Sequence, residues 1–201
     1  MESITKKKNR APKNKQKKID LIEYYFKKIL TTLELDLEDE NFAKTPERIA
    51  KMYVNEIFSG LNQDNIPKLT TFKNDQGYDQ FVLSKNITLY SYCAHHFVPF
   101  FGKAHIAYYP KNKIIGLSKL NRIVDFYSKK PQTQENLTKE IALSLVQVLE
   151  TKDVGVLVEA DHLCVSSRGI YDTNSSTTTS YYSGKFDKKS VRKEFLESLK
   201  L

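Results

Sequence analysis

The chain has 201 residues, 40% of them hydrophobic and 28% charged, enough to bury one sizeable core. Its longest apolar run, Phe97-Val-Pro-Phe-Phe101, falls far short of the roughly 20 residues that cross a bilayer, which excludes a membrane-spanning helix, and no signal-peptide pattern follows the basic start. Two cysteines 71 positions apart exclude a disulfide framework and point to a reducing cytoplasm with thiols in metal or catalytic use, a single bridge between them being the alternative.

The formal charge of +8 is concentrated at one end: residues 1–18 carry +7. This stretch reads as a basic disordered tail, since it has too little apolar surface to order itself. Contact with RNA or another polyanion is its alternative use. From Ile19 onward Ile19, Ile22, Tyr25, Phe26, Ile29 and Leu33 recur every three or four residues and predict an amphipathic helix. After an acidic break, Thr45-Pro46-Glu47 supplies an N-cap, a proline at the first helical position and an early carboxylate for a second helix to about Phe58, stopped by Gly60. Residues 19–60 thus form an N-terminal helical segment and 61–80 a polar connector.

Residues 81–109 turn strand-like, with Ile87, Leu89 and Ser91 alternating against Thr88, Tyr90 and Tyr92. Ser118 is placed to cap a helix through Tyr127, and Leu137, Ile141, Leu145 and Val148 mark one face of a longer one. Val154–Ala160 and the Thr- and Tyr-rich Ser175–Tyr182 read as strands. A short C-terminal helix over 188–201 has Phe195, Leu196 and Leu199 on its apolar side. The order of elements gives an α+β class, with residues 81–187 as the main domain.

Cys93-Ala-His-His96 and His162-Leu-Cys164 hold both cysteines and three of the four histidines. The two-residue spacer lets Cys93 and His96 reach one ion from a turn, and Cys164 adds a second thiolate. Three protein ligands leave a fourth position for water, the catalytic arrangement of zinc. A closed structural site with His95 or His162 as fourth ligand is the alternative, and His105, alone in an apolar strand, reads as a satisfied core histidine. Ser118-Lys-Leu-Asn-Arg122 sits at a predicted helix start, where free N–H groups and two cations favour an anion; Arg168-Gly169 offers a further guanidinium. Gln132-Thr-Gln-Glu135 reads, on its own, as an ordinary charged first turn.

Taken together, Thr45-Pro-Glu-Arg48, Cys93-Ala-His-His96, Gly116-Leu-Ser-Lys-Leu120 with Arg122-Ile-Val124, Gln132-Thr-Gln-Glu135, His162-Leu-Cys164, Arg168-Gly169 and Gly184-Lys-Phe186 resemble GTP cyclohydrolase I over roughly residues 20–186. The resemblance implies the tunnelling fold, a four-stranded antiparallel sheet with paired helices preceded by N-terminal helices, assembled as a toroidal homodecamer with sites between subunits. It implies one zinc ion per chain on Cys93, His96 and Cys164, with His95, His162 and Ser118 handling protons. GTP would be held by Ser118, Lys119, Arg122, Arg168 and Arg48 at the triphosphate and by Gln134 and Glu135 at the guanine. The implied reaction opens the imidazole ring, releases formate and yields 7,8-dihydroneopterin triphosphate.

Three positions depart from that pattern. Ala94 stands where the family usually has glutamate, and Lys130 and Asn136 replace common arginines. The competing readings are therefore an inactive variant, a tunnelling-fold relative acting on another purine or pterin, and, in a different class, a zinc-stabilised nucleic-acid binder using the basic tail.

Overall fold

The computed structural model describes residues 14–200, so most of the expected basic tail lies outside the described residues. Its last four residues are helical: α1 spans Lys15–Thr32, starting earlier than the apolar pattern predicts because the Asn14 side chain accepts from Gln16 N at 2.8 Å and Lys17 N at 3.3 Å. Those bonds satisfy two of the amide donors that a helix start leaves open. The chain divides into two compact units, one through Phe58 and one from Ser59.

In the first unit α1 packs on α2, Thr45–Met52, which continues as a π-helical turn over Tyr53–Ile57. Ile19 and Leu30 are buried and Phe26 meets Tyr53 edge-on at 5.4 Å, whereas Tyr25, Ile29 and Leu33 of the expected stripe stay exposed. Pro46 takes its expected place in the first turn, but Thr45 is not the cap. The cap is Lys44, with no side-chain bond, and the Thr45 hydroxyl turns back to donate to Asn41 O at 3.2 Å.

In the second unit, short β1 (Thr71–Lys73) pairs antiparallel with β4 (Lys113–Ile115), a ribbon that the polar connector did not announce. The main sheet is built from β2 (Val82–Cys93), β3 (Pro99–Tyr108), β6 (Val154–His162) and β7 (Thr177–Tyr182), all antiparallel, in the order β5-β2-β3-β6-β7. This is the expected four-stranded sheet with one addition, the two-residue β5 (Pro131–Gln132) running parallel to the end of β2. Two helices join β3 to β6: α3, Leu117–Ser128, and α4, Gln134–Leu149. Short α5 (Leu163–Ser166) follows β6, and α6 (Lys189–Leu199) ends the described chain. The architecture is the α+β tunnelling type that the sequence predicts.

Period-two alternation decides which face is buried. Ile87, Leu89, Phe100, Ala104, Ile106, Val156 and Val158 point to the helices and meet Leu120, Ile123, Val124, Leu137, Ile141 and Leu145 in one core. On the opposite face a smaller cluster of Ala107, Leu157, Phe186 and Phe195 carries α6, with Leu196 left exposed. The α3 cap is Gly116 in extended conformation, not Ser118, which falls inside the first turn.

The strands β3 and β6 approach so closely at Gly102 that an added Cβ would lie 2.0 Å from Glu159 O. Gly102→Ala should therefore force the two strands apart and cost about 1–3 kcal/mol, read as a lower urea midpoint with an unchanged slope. His105, 6% exposed, accepts from Asn86 N at 3.4 Å, the core histidine that the sequence suggests. Burial depresses its pKa, with Glu159 opposing and Lys103 and Lys85 reinforcing the shift. The unfolded chain thus binds this proton more readily. Stability from the neutral ring is present above about pH 6.5 and lost as pH falls through the lower folded-state value. Thermal midpoints across that range should drop less steeply for His105→Gln, which keeps an acceptor but cannot take the proton.

Candidate metal centre and active site

Two strand ends make the site. Cys93 closes β2, and a tight turn with Phe97 N on Cys93 O at 2.9 Å folds His95 and His96 back over it. At the end of β6, His162 leads into the single turn of α5, which carries Cys164. The register Phe100↔His162 in β3 and β6, with Tyr92↔Pro99 in β2 and β3, sets these ends side by side. The ligand atoms of Cys93, His96 and Cys164 consequently lie within 4.8 Å of one another.

Two sulfurs and one imidazole nitrogen at this separation suit a borderline-soft divalent ion. Burial pushes the Cys164 thiol up, and the adjacent Cys93 sulfur pushes it further, so the pair is poorly placed to ionise without a cation between them. The Arg168 charge opposes this weakly. His95 Nδ1 is 3.6 Å from Cys93 Sγ and His96 Nδ1 3.9 Å.

The His162 ring stacks on Phe100, centroids 4.7 Å apart and planes 12° from parallel, and its Nε2 meets Gln134 Oε1 at 2.7 Å. Burial lowers its pKa, while the charges of Glu135 and Asp161 act the other way. Glu135 stands exposed in the first turn of α4, where Thr133 accepts from Asn136 N at 3.3 Å as the cap.

Comparison with known proteins agrees with this geometry. The GTP cyclohydrolase I family profile matches residues 22–200. The chain belongs to the GTP cyclohydrolase I family. It is 48% identical over 186 residues to GTP cyclohydrolase 1 of Flavobacterium johnsoniae, covering 92% of this chain and 83% of that relative. It is 52% identical over 182 residues to GTP cyclohydrolase 1 of Shewanella sp. strain ANA-3, covering 90% and 84%.

Within the second compact unit the cyclohydrolase motifs fall into two groups. Cys93, His95, His96, His162, Gln134, Glu135, Cys164 and Arg168 gather where β2 and β6 end. Ser118, Lys119 and Arg122 occupy the first turns of α3, beside Gly116, whose N–H donates to Thr70 O, and Ile115, whose N–H donates to Tyr108 Oη. Tyr108 pairs with Val82, the other end of β2. Along α3 the rise to Ser128, at about 1.5 Å per residue, is about 15 Å from Ser118 and about 9 Å from Arg122, which sets this second group back from the first. Arg48 belongs to the first compact unit.

Of the three positions that the resemblance marks as departures, Lys130 and Asn136 make side-chain contacts and Ala94 only a backbone one. Ala94 N donates to Gln132 O at 3.1 Å, and its methyl group is exposed. Lys130 pairs with Glu140 and lies over the Tyr127 ring at 5.5 Å. Asn136 Nδ2 donates to Gln132 Oε1 at 3.4 Å. The resemblance also runs through Pro99-Phe100 and Leu137-Thr138, but the sequence assigns Phe100 and Thr138 no role around His162, and Thr179 is named only within its strand.

A divalent ion binding here must displace thiol protons, so uptake should strengthen as pH rises toward the raised Cys164 value. Cobalt(II) added to metal-free protein should give a thiolate-to-metal absorption band whose half-saturation moves to lower cobalt concentration with rising pH. Cys164→Ser should abolish most of that band.

Proposed function

We propose that this chain is a GTP cyclohydrolase I: it opens the imidazole ring of GTP hydrolytically, releases formate and yields 7,8-dihydroneopterin triphosphate, the entry to tetrahydrofolate and pterin synthesis in the cytoplasm. The observation that carries the reading is the Cys93/His96/Cys164 trio set beside His162 in a chain of this family. The metal assigned to the trio is zinc, one ion per chain, which Cys93, His96 and Cys164 would hold and which, when bound, would activate water for the hydrolysis.

The chain's own residues do the rest. His162, held flat against Phe100, exchanges a proton with the ring nitrogen freed on opening. His95, beside Cys93, and Ser118 serve the later proton transfers. Glu135, as a carboxylate, only accepts hydrogen bonds, which fits the adjacent N1–H and amino group of guanine and disfavours the acceptor N1 of adenine. Ser118, Lys119, Arg122, Arg168 and Arg48 hold the triphosphate.

The separation of the α3 turn from the metal trio supports a site completed by neighbouring subunits, in a toroidal homodecamer. No helix of the described residues is long and apolar enough to cross a membrane. Lys130 and Asn136 keep the α3–α4 junction tied together through Glu140 and Gln132, which supports a working enzyme despite the substitutions.

Protein loaded with zinc and mixed with GTP should release formate and develop a pterin absorbance; a well-folded, zinc-loaded preparation releasing neither would refute the assignment. Glu135→Gln replaces one acceptor with a donor facing guanine donors. Losing a charged hydrogen bond costs about 1.5–3 kcal/mol, so kcat/KM for GTP should fall by about tenfold or more.

A further inference from the structure

The hydrogen-bond polarity around Gln134 fixes more than the position of His162. Gln134 is buried at the start of α4, and its side-chain Nε2 lies 3.1 Å from Val158 O, 2.9 Å from Thr177 O and 3.1 Å from Thr179 Oγ1. Two of these partners are backbone carbonyls, which only accept. The side-chain nitrogen must therefore face β6 and β7, and the side-chain oxygen must face His162; the opposite amide orientation would set three acceptors against an acceptor.

The hydroxyls enforce the same direction. Thr138 Oγ1 donates its single hydrogen to Gln134 O at 2.9 Å. Thr179 Oγ1, 2.6 Å from Thr138 Oγ1, then gives its own hydrogen to Thr138 and is left as an acceptor for Gln134 Nε2. The polarity runs without a break from the Thr138 hydroxyl to the Gln134 oxygen, and that oxygen can only accept. At 2.7 Å from it, His162 Nε2 must carry a hydrogen. A flip of the ring within its Phe100 stack would put a carbon in place of Nε2 and forfeit the bond.

We infer that Gln134 is a positioning residue that holds neutral His162 in the Nε2–H tautomer, with the Val158 and Thr177 carbonyls fixing Gln134 in turn and the Thr138–Thr179 pair matching their direction, so that His162 exchanges its proton with substrate through Nδ1. This deepens the cyclohydrolase reading and rests on it for the substrate. Nδ1 takes up or gives one proton while Nε2–H stays on Gln134 Oε1. The polar groups of Gln134 are thereby committed within the protein, and recognition of the guanine edge is left to Glu135.

The test uses zinc-loaded protein with 15N-labelled histidine. The four histidines are assigned by single substitution, and the tautomer is read from the ring nitrogen shifts. Unaltered protein should show His162 with a protonated Nε2 and a bare Nδ1. Gln134→Met keeps the volume but cannot accept, and Thr179→Val removes the hydroxyl at constant shape. Gln134→Met should add Nδ1–H signal while retaining its zinc; in Thr179→Val the Val158 and Thr177 carbonyls still orient Gln134, so the Nε2–H tautomer should persist. The loss of an orienting partner should lower kcat for GTP by about tenfold or more in Gln134→Met, with KM within about twofold.

A merely structural glutamine would lower the melting temperature and leave the tautomer and kcat alone. A glutamine reading the base would raise KM and relax the preference for GTP over ITP. Either result, or a protonated Nδ1 in the unaltered protein, overturns the inference. The tautomer readout decides it whether or not GTP is turned over, which separates its failure from failure of the functional assignment. If Gln134→Met does not fold, the tautomer of the unaltered protein still decides, a bare Nδ1 supporting the inference and a protonated Nδ1 overturning it.

Discussion

The register of β3 between β2 and β6 is the constraint on which the rest depends. It aligns the end of β2 with the end of β6, and with them two cysteines that the sequence holds far apart. No local motif achieves this. Gly102 permits the approach of the two backbones two residues from Phe100, and Phe100 in turn supplies the surface on which His162 lies. Because the side-chain period of a strand is two, a slip of one residue would send Phe100 to the other face and dissolve the core and the site together. Packing and chemistry share one cause here.

Much of this was legible beforehand because the signals are local. The amphipathic repeats of α1 and α4, the alternation along β2 and the cysteine–histidine spacing each follow from a few neighbouring residues. The errors have physical reasons. Thr45 and Ser118 are good N-cap residue types, yet the caps are Lys44 and Gly116, because the preceding turns are closed by backbone bonds such as Thr45 N to Phe42 O and Lys119 N to Gly116 O. The ribbon of β1 and β4 is stabilised by pairing across about forty residues of chain and has no periodicity of its own.

The site was half legible for the same reason. Resemblance grouped Gln134 with Glu135 on the guanine, since adjacent residues of one motif invite one role. The first turn of α4 separates them: Gln134 faces the sheet and is buried, whereas Glu135 faces outward. Thr138 and Thr179 carried no signal as single residues, because their meaning lies in a contact between a helix and an outer strand. The Thr-rich stretch reads as a strand from propensity alone, which names no partner for its hydroxyls. One of them is part of a satisfied buried network, where each member is costly to leave unpaired.

The distance between the α3 turn and the metal trio has a consequence at the level of populations of chains. If one copy's anion turn serves another copy's metal trio, a chain disabled in the first and a chain disabled in the second are each inert alone, yet a mixed ring of the two contains intact pairings. Mutational damage in such an enzyme is not a private property of the damaged chain. Activity in a mixed pool then depends on the statistics of assembly, rising from zero at either pure composition to a maximum between them.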